Sequence, residues 1–229
     1  MRFGRTLAFS SKPVSTARLG AAALLGLALA GCAREGELTV AGDGVGITAI
    51  RTVCPAVGVP DYTGDVTTFA GNGAPTLANL DVTATITNVR SQCSESDNRV
   101  YSAASFDVLA RRSTTQGARR VELPYFSTVL RGNSAVVSKR IGTVTIDFAD
   151  GQDRAVGKGI AGAFIDRSEA TLPDNIREQI TRRRKPGDPD AALDPLQDPA
   201  VRAAVARASF ELLVGFQLTE DQLAYNATR

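Results

Sequence analysis

Residues 80–89 read LDVTATITNV. Leu80, Val82, Ala84 and Ile86 alternate with Asp81, Thr83, Thr85 and Thr87. Successive side chains of an extended chain point to opposite faces, so a strict period of two marks a strand with one buried and one wet face. Downstream, VYSAASFDVLARR (100–112) sets Phe106, Val108 and Ala110 on one face. RRVELPYFSTVLRG (119–132) and SAVVSKRIGTVTIDF (134–148) follow, separated at Gly132-Asn133. In the second of these, Val144, Ile146 and Phe148 alternate with Thr143, Thr145 and Asp147. Asp150-Gly151 is a hairpin signal, and QDRAVGKGIAGAFID (152–166) returns as a strand. SQCSESDN (91–98) reads as a polar loop and STTQGA (113–118) as a turn. Upstream, GITAIRTVCPAV (46–57) is β-like. DYTGDVTTFAGNGAP (61–75) is turn-rich, with Gly64, Gly71, Gly73 and Pro75 as breakers.

Seven or eight short strands joined by turns, with no helix among them, build antiparallel sheets. The expected fold is mainly β, an immunoglobulin-like antiparallel β-sandwich over residues 45–170. The buried tryptophan of that class is missing, since the chain has no Trp. The pattern changes at Thr171. TLPDNIREQITRRRK (171–185) has Pro173 near a helix start, Asp174 in its first turn and a basic end suited to the helix dipole. PGDPDAALDPLQDP (186–199) is a Pro/Asp-rich linker. PAVRAAVARASFELLVGF (199–216) has Asp198 as a cap and Pro199 at a first helical position. Its apolar side would be Val201, Val205, Phe210, Leu212, Leu213 and Phe216. Thr219-Glu220-Asp221-Gln222 fits a capping box opening a last short helix. Residues 171–229 are thus expected to form a C-terminal α-helical appendage that docks on the sandwich or faces a partner.

The leader carries Arg2, Arg5, Lys12 and Arg18 with no acid, then the apolar run Leu19–Ala30, then Leu29-Ala30-Gly31-Cys32. A basic leader, a short apolar core and small residues mark an export signal. The apolar run is shorter than the roughly 20 residues that span a bilayer. Leu29-Ala30-Gly31-Cys32 resembles the lipobox of bacterial lipoproteins. The resemblance implies a signal peptide over 1–31 removed before Cys32, a lipid on the Cys32 sulfur and a tether over 32–44. Small Ala30 and Gly31 fit a narrow protease site, and the thiol is the nucleophile for a diacylglyceryl group. Several acyl chains, palmitate among them, anchor stably at about 0.8 kcal/mol per buried methylene. Residue 33 is Ala, not the Asp that resembles an inner-membrane retention signal. Its absence points to the outer membrane, facing the periplasm.

Removing the leader changes the charge balance. It holds four of the 26 Lys+Arg and none of the 24 Asp+Glu, so the remainder is near −2 rather than +2. No bulk basic character is left to argue for nucleic acid as a partner. Behind Cys32 only Cys54 and Cys93 remain. An even count in an oxidising compartment predicts one disulfide. It would close a loop of about 40 residues, worth about 3 to 4 kcal/mol.

The chain has no His. That excludes Ser-His-Asp and Cys-His catalysis, His-ligated zinc and His-held haem. Neither a P-loop nor Ser-x-x-Lys nor Gly-x-Ser-x-Gly occurs. Gly157-Lys158-Gly159-Ile160-Ala161-Gly162 matches G-x-G-x-x-G, yet it follows a turn and itself reads as a strand, so close packing explains its glycines better than a dinucleotide. Asp150 and Asp153 fit a turn better than acid/base work, and Asp188, Asp190, Asp194 and Asp198 fit a solvated linker better than a calcium loop. TRRRK (181–185) is either a solvated helix end paired with nearby acids or a contact for anionic lipid. LPYF (123–126) is a core strand or an exposed binding edge. No cofactor and no metal are expected. The expectation is a lipid-anchored cell-envelope protein, held to the membrane by its lipid, not an enzyme, with a structural or protein-binding role toward an envelope partner. The alternatives are a periplasmic enzyme using carboxylates only and a lipid- or glycan-binding module.

Overall fold

The alternating stretches form long strands, and the computed structural model describes residues 51–71 and 75–228. All belong to one unit, Gly44–Arg229. Cys32, the leader and the 32–44 tether lie outside the described residues. The strands are β1 (Ala56–Gly58), β2 (Asp65–Phe69), β3 (Leu80–Glu95), β4 (Arg99–Arg112), β5 (Arg119–Arg131), β6 (Ala135–Phe148), β7 (Arg154–Asp166) and β8 (Phe210–Phe216). The helices are α1 (Arg167–Ala170), α2 (Asp174–Thr181), α3 (Pro199–Arg207) and α4 (Glu220–Thr228). The first sheet runs β1-β8-β5-β6 and the second β2-β3-β4-β7. All pairs are antiparallel except β1, which runs parallel to β8. Three consecutive strands, β2, β3 and β4, lie side by side, unlike the ABED and CFG orders of immunoglobulin domains.

The inner faces of both sheets share one core. Val82 and Ile86 of β3 and Phe106 and Val108 of β4 meet Leu123 of β5, Ile146 and Phe148 of β6, and Val214 and Phe216 of β8. Full burial of such side chains stabilises by about 1.5–3 kcal/mol each. Helices α2 and α3 bury Leu172, Ile180 and Val201 in a separate small cluster. The result is a mainly β, sandwich-like arrangement with a short C-terminal helix.

Four expectations are corrected. SQCSESDN is not a loop: β3 pairs with β4 as far as Glu95↔Val100, leaving Ser96–Asn98 as the turn. Residues 90–95 outrun the core, so their polar side chains are exposed while the backbone ladder continues. The turn-rich stretch 61–75 contains β2. Asp150-Gly151 is not a hairpin, because β6 pairs with β5 while β7 pairs with β4. FELLVGF is not the end of a helix. Helix α3 stops at Arg207, and Phe210, Leu212, Val214 and Phe216 bury a period-two face of β8 between β1 and β5. A short apolar run fits either period, and here the open slot beside β5 selects the strand. The expected boundary at residue 170 is therefore crossed: the first sheet needs residues 210–216.

The chain crosses between sheets twice at one end, from β4 to β5 through residues 113–118 and from β6 to β7 through residues 149–153. Arg112 is buried between these crossings, at 2% exposure. Its guanidinium donates to Gln152 O, Gly117 O, Thr115 O and Ala149 O, each at 2.8 Å, and lies over the Phe148 ring. Gly117 N–H donates to Asp150 Oδ1, and Gly151 N–H to Thr115 O. Both glycines take a positive φ (74° and 75°) that few other residues adopt. Arg112→Met removes every donor and should cost about 3 kcal/mol or more in urea melts. Arg112→Lys should recover little of it, since an ammonium lacks the planar fork that serves four carbonyls.

Candidate functional site

The G-x-G-x-x-G stretch lies in the middle of β7, paired with β4. A Cβ on Gly157 would stand within about 3 Å of Ile146, Val144 and the Thr145 carbonyl of β6, one on Gly159 would strike Phe106, and one on Gly162 would strike Tyr101. The glycines let β7 approach β6 and its own neighbours closely. Tyr125 reinforces the approach: its hydroxyl donates across the sheets to Ile160 O at 2.5 Å. In LPYF, Leu123 and Tyr125 are buried core residues.

The acids singled out by sequence have structural partners. Asp150 binds Gly117 N–H and Asp153 pairs with Arg111 at 3.1 Å. Asp188 accepts from Lys185 N–H, Asp194 from Leu196 N–H and Asp198 from Ala200 N–H. Asp190 receives both Arg182 and Arg184, and its carboxyl is held below the usual range chiefly by the Arg184 hydrogen bond. The 186–199 stretch is therefore ordered by its acids, and two arginines of TRRRK are spent on Asp190. Arg184 is itself buried. Among the described residues no three ligand-type side chains cluster for a metal.

Cys54 and Cys93 form a disulfide with Cα atoms 6.0 Å apart and 39 residues of separation. It joins the entry to β1, in the first sheet, to the far end of β3, in the second. A groove of about 880 Å³ lies beside it, between Arg51, Cys54, Asn133, Arg202, Phe210 and Glu211. Among the described residues Glu211 is the one carboxylate that lines it. A hollow of about 250 Å³ is bordered by Arg99, Val137, Phe164, Asp166 and Glu169, and Glu169 stands 3.8 Å from Arg131.

Six of the large exposed apolar side chains belong to the edge strands β6 and β7. Val136, Val137 and Ile141 of β6 and Val156, Ile160 and Phe164 of β7 are each more than half exposed. The two strands touch where Gly157 meets Val144 and Ile146, and diverge toward Val137 and Phe164. There a hollow of about 160 Å³ reaches Val129 and Leu212 of the first sheet. Arg140 lines this opening, Arg99 lines the adjoining hollow and Lys139 precedes Arg140 on β6; none has a carboxylate partner among the described residues. Sequence reasoning missed this opening. The signal was present: Val136-Val137 breaks the alternation that resumes at Val144. No protein-family model matches the chain, and neither the curated proteins nor the solved structures compared with it provide a match.

Two predictions concern the tie between the sheets. Cys54→Ser with Cys93→Ser should lower the unfolding free energy by about 4 kcal/mol, and reductant added to the unsubstituted protein should reproduce that loss. Arg119 of β5 binds Asp81 of β3 through two hydrogen bonds (2.6 and 2.8 Å), which hold the Asp81 carboxyl below the usual range. Its contribution is present above the unfolded carboxyl value, near pH 4, and is lost as pH falls through the lower folded value. The unfolding free-energy gap between the protein and Asp81→Asn, read from urea melts across pH, should be widest near neutrality, about 1 kcal/mol or less after solvent screening, and should close below pH 4.

Proposed function

We propose that the chain is a lipid-anchored cell-envelope protein with a non-catalytic, protein-binding role. The lipobox-like Leu29-Ala30-Gly31-Cys32 carries this reading. On this reading the lipid is on Cys32 and the folded unit faces the periplasm from the outer membrane. The Cys54–Cys93 disulfide supports it, since such bonds persist in oxidising compartments. The exposed apolar and basic side of β6 and β7 supports a binding role, because contiguous exposed apolar surface marks interaction sites. In fold, we infer an immunoglobulin-like sandwich only in the broad sense of two packed antiparallel-rich sheets.

Cys32→Ser should abolish incorporation of labelled palmitate and move the protein out of the membrane fraction, with the disulfide still formed. A labelled, membrane-bound Cys32→Ser protein would overturn the anchor. Crosslinking in intact cells should recover one envelope protein in stoichiometric yield. Repeated recovery of the protein alone would overturn the binding role and return attention to the hollow beside Asp166 and Glu169, where a carboxylate enzyme would have to work.

A further inference from the structure

We propose that the free edge of β6, residues 135–141, receives an extended acidic segment of a partner polypeptide as an added strand. The inference rests on the protein-binding role above and assigns it a place and a partner chemistry. β6 is the outermost strand of its sheet, and among the described residues its ladder bonds run only to β5. Its other edge presents a row of unpaired backbone N–H and C=O groups, the usual template for another strand. Such addition draws affinity from main-chain hydrogen bonds and specificity from alternate side chains.

This half of β6 differs from the other. Val144, Ile146 and Phe148 are buried, whereas every residue from Ala135 to Ile141 is exposed. Val136 and Val137, at 64% and 54% exposure, sit where β6 bulges against β5, with Val136 paired to Leu130, Ser138 to Val129 and Val137 the extra residue between them. An added strand therefore meets two exposed valines along this edge and, beside Val137, the hollow lined by Val129, Phe164 and Leu212.

Charge selects the occupant. Lys139 and Arg140 lie in the free stretch just after its middle residue, Ser138, and Arg99 borders the same opening as Val137. Lys139 lies over the Phe126 ring, and the acids on the opening's far rim are Asp166 and Glu169, the latter beside Arg131. A second copy paired antiparallel about Ser138 would set the two Lys139 side chains in diagonal positions, about 7–8 Å apart, and gather four cations on one short ladder. An anionic lipid surface would match the charges but leave the backbone row to water. An acidic extended segment satisfies both.

The test uses the mature protein in neutral detergent and a ten-residue probe peptide of alternating Glu and Val. The expected result is binding, with amide hydrogen exchange slowed over residues 135–141. The double variant Lys139→Glu with Arg140→Glu, folded by circular dichroism, should bind this probe at least tenfold more weakly and gain affinity for a Lys/Val probe. Equal affinity of both proteins for the Glu/Val probe would overturn the proposal. So would protection elsewhere, binding only to phosphatidylglycerol vesicles, or a dimer that the double variant abolishes. In cells, a photocrosslinker at Val137 should capture the stoichiometric partner. Capture from α4 but not from Val137 would overturn this edge while leaving the binding role intact. Capture from neither would overturn the binding role itself.

Discussion

The buried Arg112 guanidinium holds the place where the chain changes sheets. Both crossings pass it, and it gives hydrogen bonds to carbonyls of each. A buried charge without a carboxylate is costly unless its donors are all used. Here the four carbonyls supply the acceptors, and the Phe148 ring supplies a face for the cation. Arginine suits this role because it stays charged and its donors form a rigid planar fork. Two loops that would otherwise carry unpaired polar groups are converted into a fixed corner.

The opposite end is tied differently. The Cys54–Cys93 bridge links the sheets covalently there, beside the entry to β1. Between the two ties the sandwich is asymmetric. Where β7 carries Gly157, it closes onto Val144 and Ile146. Toward Val137 and Phe164 it opens, and apolar side chains that a closed sandwich would bury stay in solvent. Stability and exposure are thus assigned to different stretches of the same two strands. The carboxylates that caught attention in sequence are engaged in turns, caps and ion pairs.

Much of the second sheet was legible. Strict alternation in LDVTATITNV and in residues 100–112 marks a half-buried strand whatever surrounds it. The Asp198 cap, the Thr219–Gln222 box and the Cys pair were legible for the same reason: each is a local or countable constraint. The free edge of β6 was not, because exposure depends on which strand fails to cover it. That TRRRK pairs with nearby acids was legible, but the choice of Asp190 was not, because Arg182 and Arg184 reach it through a fold of the linker.

By itself the sequence determined a mainly β chain, several of its turns, its cysteine pairing and a chain without histidine. These rest on periods, counts and residue types that need no neighbours. Only the tertiary structure decided that Asp150-Gly151 crosses between sheets and that FELLVGF is a strand. A turn residue fixes a change of direction but not the partner that follows. An apolar heptapeptide satisfies a helix or a strand until a vacant sheet position, here between β1 and β5, supplies the hydrogen bonds that choose between them.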